Sequence, residues 1–262
     1  MIQCVSYGGG VQSTCIILLA IDGVIPKPDI IIFSDTGSEL PGTYATVKEI
    51  KKLCAENDMR FETVGSYFEP KKRPDMTGSW KLHEWYLELG RLPMVGQPRC
   101  TFNFKIYPVR RLLKTLCDTT QPKPWASQSL GITTDEIKRM RESEIKWCKN
   151  DFPLIDLGMS RQDCVDYIAK HYPDLVVEKS GCFCCPYQSG KKWLKLKVEH
   201  PDLFDISRSM EIAAAKNGVK RGLWGAKSII AFDHNARLTD FGFEIGQPLY
   251  EDAECDSGGC FL

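Results

Sequence analysis

The sequence predicts an α/β protein built on a Rossmann-like, doubly wound parallel sheet, with a cysteine-bearing helical region toward the C-terminus. Residues 2–64 alternate short apolar runs with helical segments, and a glycine-rich turn follows the first run. The second run, Asp29-Ile30-Ile31-Ile32-Phe33-Ser34, is almost continuously apolar, as expected of a central strand covered on both faces. Parallel neighbours need right-handed helical crossovers, which place helices on both sides of the sheet.

The predicted elements follow in order from the N-terminus. Strands are expected at 2–7, 29–34 and 60–64, and helices at 13–21 and 41–56, where Pro41 suits a first helical turn. Residues 66–98 are irregular around one amphipathic piece at 80–89, and we interpret them as an insertion beside the site. The later elements are one strand at 125–132 and helices at 108–117, 134–144, 160–171, 191–198 and 201–216.

Composition narrows the class of protein. The 262 residues carry 34 basic and 34 acidic side chains, a balance that argues against a protein whose main task is to coat nucleic acid. Neither a secretory signal nor a membrane-length apolar run is visible, so we expect a cytoplasmic enzyme without a membrane partner. In a reducing compartment, the 12 cysteines point to metal binding or catalysis rather than to disulfides. We expect an α/β domain at 1–150 and a helical region that carries the cysteine cluster at 151–262, packed on the same domain.

The turn after the first strand has the properties of a phosphate-binding loop. Glycines let backbone amides approach phosphate oxygens, and the following helix presents its positive end. The loop is neither a Walker A motif nor a dinucleotide fingerprint. The alternative is a flexible turn between two core elements. The candidate binding residues are Ser6, Gly8, Gly9, Gly10, Gln12, Ser13 and Thr14.

The stretch Gly8-Gly9-Gly10-Val11-Gln12-Ser13 resembles the PP-loop of the adenine-nucleotide alpha hydrolase superfamily, which includes ATP pyrophosphatases and phosphoadenylylsulfate (PAPS) reductases. The usual pattern is Ser-Gly-Gly-x-Asp-Ser, and Gln12 stands here in the acidic position. The resemblance implies that the protein binds ATP or another adenine nucleotide, with Mg²⁺ as a candidate companion. Gln12 departs from the pattern that standard metal-assisted ATP cleavage uses.

Two further segments resemble the same family. Asp35-Thr36-Gly37-Ser38-Glu39, followed by Thr43-Tyr44, is similar to a "D-T-G-x-E…T-Y" segment, which implies nucleotide contacts from Asp35 and Thr36. Asp35 follows a central strand, where α/β sheets bind ligands, and its alternative role is to cap the next helix. The segment at 130–139 is similar to "L-G-I…D-E…R", which adds Gly131, Glu136 and Arg139. The last two could equally form a surface ion pair.

The cysteines that are candidates for metal binding or catalysis lie in three segments of the sequence. The loop Cys182-Phe183-Cys184-Cys185-Pro186 can hold one metal or cluster. The stretch from Arg99-Cys100-Thr101 to Lys105 and Pro108 resembles sulfur-handling PAPS reductase-like proteins, including the DNA phosphorothioation enzyme. That resemblance implies that Cys100, Cys182 and Cys185 ligate a 4Fe–4S cluster, with Cys184 the less favoured ligand. Zinc, or reactive thiols without metal, are the alternatives.

The third cysteine segment is the tail, where Cys255 and Cys260 could supply a fourth ligand, a sulfur-relaying pair or a redox dithiol. Our catalytic candidates are therefore Cys100, Lys105, Cys255 and Cys260. Basic residues that flank Cys100, including Arg110 and Arg111, are placed to meet phosphates. The basic run after the cysteine loop is interpreted as an amphipathic helix that buries Trp193.

These features together lead to three functional hypotheses. The first is an ATP-using sulfurtransferase in which ATP adenylylates an acceptor and an iron–sulfur cluster delivers sulfur. The second is a reductase of an adenylylated sulfate that draws electrons from cysteines. The third is a non-catalytic nucleotide-binding module with a structural metal. Candidate partners are a small-molecule nucleotide, a sulfur-donor protein such as a cysteine desulfurase or else a thiol reductant, a nucleic-acid acceptor, and a second copy of the chain.

Overall fold

The protein is described here by a computed structural model that covers residues 1–68, 74–97, 99–224 and 228–229. Its centre is a five-stranded parallel sheet in the order β3-β2-β1-β6-β7. The strands are β1 (Ile2–Tyr7), β2 (Ile30–Asp35), β3 (Phe61–Gly65), β6 (Ala126–Ser129) and β7 (Cys148–Asp151). A short antiparallel pair, β4 (Tyr67–Phe68) and β5 (Gly78–Ser79), lies outside this sheet. The predicted fold class is confirmed.

Helices cover both faces of the sheet. Side chains point to alternate faces along each strand, so apolar residues on both faces need to be covered. Val5 and Tyr7 of β1 point toward α1 (Val11–Ile21), α2 (Pro41–Glu56) and α7 (Arg161–His171). Cys4 faces the opposite side, where α5 (Tyr107–Leu116) packs through Val109 and Leu113. The sheet is therefore doubly wound, as expected from its continuously apolar central strands.

A second apolar cluster lies outside the sheet layers. It is built around the fully buried Trp193 by α3 (Leu82–Leu89), α8 (Gly190–Glu199) and α9 (Pro201–Lys216), together with Phe104 and the cysteine-loop residue Phe183. The expected boundary at residue 150 falls inside β7, and α7 packs on the sheet. The apolar cluster around Trp193 combines residues 82–104 with residues after 182.

Two segments differ from the sequence-based expectation. The helix expected at 134–144 is a short 3-10 helix, Thr134–Arg139, that is interrupted at Glu136 (φ −111°) and ends at the extended Met140. The carboxylate of Asp135 in this turn accepts from the Arg161 amide at 2.8 Å, which ties the segment to the start of α7. Between α4 (Arg99–Thr101) and α5, residues Phe102–Ile106 form a π-helix that periodicity did not predict.

A small helix, α6 (Pro153–Asp156), links β7 to α7. Among the described residues, no helix has both the length and the apolar character needed to cross a membrane.

The start of α7 allows a test of how the sheet layer is stabilised. Ser160 and Asp163 form a capping box, in which Ser160 Oγ accepts from the Asp163 amide at 3.1 Å. We expect Ser160→Ala to lower the free energy of unfolding by about 1 kcal/mol, measured by urea denaturation. Ser209→Ala, the same change inside α9, should shift it by under about 0.5 kcal/mol. Equal effects of the two substitutions would contradict the capping role.

Candidate functional site

The strand order reverses at β1, which lies between β2 and β6. The connections that leave β1 and β6 therefore diverge at the carboxyl edge of the sheet, the place where open α/β sheets bind ligands. Residues 8–10 follow β1, and residues 130–133 follow β6. A Cβ added at Gly131 would lie 2.8 Å from the backbone nitrogen of Ser13 and 3.1 Å from Gln12 Cβ. Close packing of the two loops thus requires glycine at 131.

The glycine loop is held against α2 and the cysteine loop. Gly9 has φ +73°, and a Cβ there would lie 2.7 Å from Thr43 Cγ2. A Cβ at Gly10 would lie 2.8 Å from Ser180 Oγ. Gly10 is the N-cap of α1, which has neither a side-chain cap nor an acidic residue in its first turn. The positive end of α1 is thus uncompensated by its own side chains, as an anion site requires.

The hydroxyls predicted to bind phosphate differ in where they point. Ser13 Oγ accepts from the Gly8 amide at 3.3 Å and donates to the Gly10 carbonyl at 3.2 Å, so it lies within the loop. Thr14 is fully buried and its hydroxyl is 3.2 Å from that of Tyr7. Ser6 lies inside β1, opposite Ile32 of β2. Of these three hydroxyls, that of Ser13 is the one whose hydrogen bonds are made within the glycine loop.

Asp35 organises the turn after β2. Its Oδ1 accepts from the Gly37 amide at 2.7 Å and from the Tyr44 hydroxyl at 2.8 Å. The N-cap of α2 is Leu40, so Asp35 shapes the turn rather than capping the helix. Burial, followed by the hydrogen bond to Asp35, raises the pKa of Tyr44 above its usual range, which keeps this hydroxyl a donor.

Glu136 and Arg139 form an ion pair that is largely buried, not the surface pair considered above. Glu136 Oε2, Arg139 Nε and the hydroxyl of the fully buried Thr133 have no hydrogen-bond partner among the described residues. Unpaired buried polar atoms are costly unless a bound group satisfies them. The segment after Gly131 therefore has free hydrogen-bonding capacity for a ligand or ordered water.

A buried carboxylate joins the sheet edge to the cysteine loop. Glu39, whose side chain is 0% exposed, lies 3.1 Å from Lys105 Nζ and accepts from the Thr36 hydroxyl at 3.1 Å. The Cys182 thiol donates to the same Glu39 oxygen at 3.6 Å. The second oxygen, Oε2, is buried with no hydrogen-bond partner in the described part of the chain.

Backbone hydrogen bonds fix this junction. Glu39 and Cys182 form an antiparallel bridge in which the Leu40 amide donates to Gly181 at 2.8 Å and the Phe183 amide donates to Ser38 at 2.9 Å. The Gly181 amide also donates to the Thr43 hydroxyl at 3.4 Å. Thr43 is the residue that touches Gly9. The glycine loop and the cysteine loop are therefore neighbours on one edge of the sheet.

Three of the thiols interact electrostatically. Burial, and then the negative charge of Glu39, raise the pKa of Cys182 well above its usual range, while Lys105 opposes this. Burial, and then a thiolate at Cys100, raise the pKa of the fully buried Cys184. Cys100 packs at the edge of the apolar cluster that contains Cys184. Cys184, which the sequence analysis made the less favoured metal ligand, thus interacts electrostatically with both Cys100 and Cys182.

The predicted metal ligands are Cys100, Cys182 and Cys185. Within the described residues, no three His, Cys, Asp or Glu side chains lie close enough together to hold a metal ion. The Cys182 thiol is instead directed at the Glu39 carboxylate. The predicted ligation of a metal or cluster by Cys100, Cys182 and Cys185 stays a prediction, and no step proposed below passes through a metal or cluster. Cys255 and Cys260 lie outside the described residues.

Glu39 is the site residue that sequence reasoning missed. It was present in the quoted "D-T-G-x-E" segment, but a carboxylate that follows Gly37 and Ser38 looks like an exposed loop residue. The signal that could have found it was the combination of that motif with Lys105, since a buried carboxylate needs a cationic partner. The basic run after the cysteine loop forms α8, which buries Trp193 as predicted.

Comparisons with known proteins give distant similarities. No protein-family model matches the chain. A Methanocaldococcus jannaschii protein described as uncharacterized is 24% identical over 237 residues, which cover 86% of this chain but only 51% of that protein. The chain thus spans about half the length of this relative. A crystal structure of PAPS reductase from Candida auris, in complex with phosphate, aligns at TM-score 0.43 and 16% identity over 68% of this chain and 75% of that one. The function proposed below rests on the residues of the site.

The close approach at Gly131 predicts a steric effect. Gly131→Ala places a methyl group against the backbone of Ser13, and we expect a loss of about 1–3 kcal/mol in the free energy of unfolding. Gly65→Ala is the control, because a Cβ there has nothing within 4 Å. If chemical denaturation gave the two variants the same stability, the tight packing of the two loops would be refuted.

The Glu39–Lys105 pair predicts a larger effect. Lys105→Met leaves a carboxylate buried without its cation, so we expect a destabilisation of about 3 kcal/mol in urea. Glu39→Gln combined with Lys105→Met should cost less than the sum of the single changes, because no buried charge is left. Lys52→Met, which breaks the exposed pair with Glu56, should cost under about 1 kcal/mol. Strict additivity in the double variant would count against this pairing.

Proposed function

We propose that this chain is an adenine-nucleotide-dependent sulfur-transfer enzyme. The nucleotide phosphates would bind at the glycine loop and the positive end of α1, and the thiols of Cys182, Cys184 and Cys100 would handle sulfur. One observation carries the proposal. Thr43 contacts Gly9 on one side and the Gly181 amide on the other, so the glycine loop and the cysteine loop share one edge of the sheet.

The nucleotide half of the proposal is supported by position and chemistry. The switch point between β1 and β6 lies where α/β sheets bind ligands, and the loops there meet through Gly131. Ser13 supplies a hydroxyl in the loop, and the uncapped start of α1 favours anions. The unpaired atoms of Thr133, Glu136 and Arg139 offer hydrogen bonds to the rest of a nucleotide.

The proposed reaction has two stages. An acceptor oxygen attacks the α-phosphorus of ATP and pyrophosphate leaves. A persulfide on one cysteine, loaded by a sulfur-donor protein, then displaces AMP through its terminal sulfur. A second thiol attacks the carrier cysteine, which releases the acceptor thiol and leaves a protein disulfide for a thiol reductant to restore.

Glu39 has a defined part in this scheme. The raised pKa of Cys182 keeps it protonated at neutral pH, so its thiol needs a base before it can act as a nucleophile. The Glu39 carboxylate accepts the hydrogen bond from Cys182 and is therefore the base nearest to this thiol. Lys105 offsets the buried negative charge.

The second candidate is a reductase of an adenylylated sulfate. Gln12, in the position where the PP-loop pattern has an acidic residue, favours it, since that reaction does not cleave ATP. The two candidates differ in what they release, which is pyrophosphate from ATP or sulfite from an adenylylated sulfate. Iron, zinc and labile sulfide analysis of anaerobically purified protein tests the predicted cluster separately.

We expect the wild-type protein to bind ATP in calorimetry and Gly9→Ala to weaken that binding at least about tenfold, because the new methyl group meets Thr43 in a strained backbone. Gly23→Ala is the matched control. It has a similar positive φ of +74° but nothing within 4 Å of its Cβ, so it should bind ATP like the wild type. Absence of ATP and adenylyl-sulfate binding in the wild type would exclude both candidates.

A further inference from the structure

The segment 99–116 differs from the rest of this charge-balanced chain. It contains five basic residues, Arg99, Lys105, Arg110, Arg111 and Lys114, and no acidic residue. Within the part of the chain that the structure describes, Arg111 and Lys114 form no ion pair. A run of this kind that is exposed to solvent attracts anions.

The π-helix places two aromatic rings side by side on this segment. The Tyr107 amide donates to the Phe102 carbonyl, an i to i+5 bond that aligns residues five positions apart. The rings of Phe102 and Tyr107 consequently lie 6.2 Å apart, tilted by 34°. Phe102 is 48% and Tyr107 is 47% exposed, unusually high for large aromatic side chains.

The aromatic surface continues along α5. Arg111 follows Tyr107 by one helical turn and lies over the ring of Tyr67 at 5.3 Å, and Tyr67 is itself 37% exposed. Lys114 is exposed one further turn along. We name Phe102, Tyr107, Arg111, Tyr67 and Lys114 the aromatic–basic stripe. The stripe begins two residues after Cys100 and one helical turn from Lys105, so its first residue is a close neighbour of Cys100 in the chain.

We propose that the aromatic–basic stripe binds single-stranded nucleic acid. Exposed rings stack on unpaired bases of any sequence, while arginine and lysine meet the phosphates between them. An acidic protein surface would satisfy the cations but not the exposed ring faces. The inference rests on the proposed function, for which it names the acceptor as an unpaired nucleotide held close to Cys100.

The test is fluorescence anisotropy of the full chain with labelled oligothymidylate at low and moderate salt, without ATP. Wild-type binding should weaken as salt rises. Phe102→Ala and Tyr107→Ala should each weaken binding about tenfold through lost stacking, and Arg111→Ala should also flatten the salt dependence. Ile137→Ala, which truncates another exposed apolar side chain, and Lys52→Ala should bind like the wild type.

Three results would overturn the inference. The first is no binding at low salt. The second is unchanged affinity of the aromatic variants in protein that circular dichroism shows to be folded. The third is equal affinity for oligothymidylate and for polyglutamate, which would leave the exposed rings of the stripe without a role. Because the assay needs no ATP, it can fail while ATP binding is retained. Loss of ATP binding with oligonucleotide binding intact would instead refute the proposed function.

Discussion

The arrangement of the site depends on one buried ion pair. The Glu39 carboxylate is withdrawn from water, and Lys105 Nζ at 3.1 Å compensates for the cost of burying it. Glu39 belongs to the segment after β2, Lys105 to the π-helix, and Cys182 contacts the same carboxylate oxygen. Three segments that are far apart in sequence therefore meet at one atom. Removing the Lys105 charge would leave the buried Glu39 carboxylate without this cation, so sheet edge, π-helix and cysteine loop depend on each other.

Close backbone packing extends this dependence to the glycine loop. Gly9 lies against Thr43, Gly10 against Ser180, and Gly131 against Ser13. Each contact excludes a side chain, so the glycine loop stays packed at the start of α1. The same packing brings the cysteine loop beside the glycine loop, since Ser180 lies two residues before Cys182.

Much of the fold followed from local pattern, whereas the centre of the site did not. The buried strands β1 and β2 and the helix Pro41–Glu56 have apolar patterns that identify them directly. The edge strand β7, Cys-Lys-Asn-Asp, is too short and polar to be identified in that way. Glu39 and Cys182 are 143 residues apart, and neither carries a local sign of the other. Periodicity reports neighbours along the chain, while a buried carboxylate is explained only by partners brought in through folding.

The π-helix shows how a local irregularity can serve two surfaces. An α-helix turns by about 100° per residue, which would separate Phe102 from Tyr107 around the axis. The wider π turn aligns these two rings on the outside while Phe104 packs into the apolar cluster and Lys105 reaches Glu39. Inward and outward contacts are thus set by the same five residues. A substitution that restored regular α-helix here would displace the cation from the buried carboxylate and separate the exposed rings at once, which couples the cysteine site to the surface beside it.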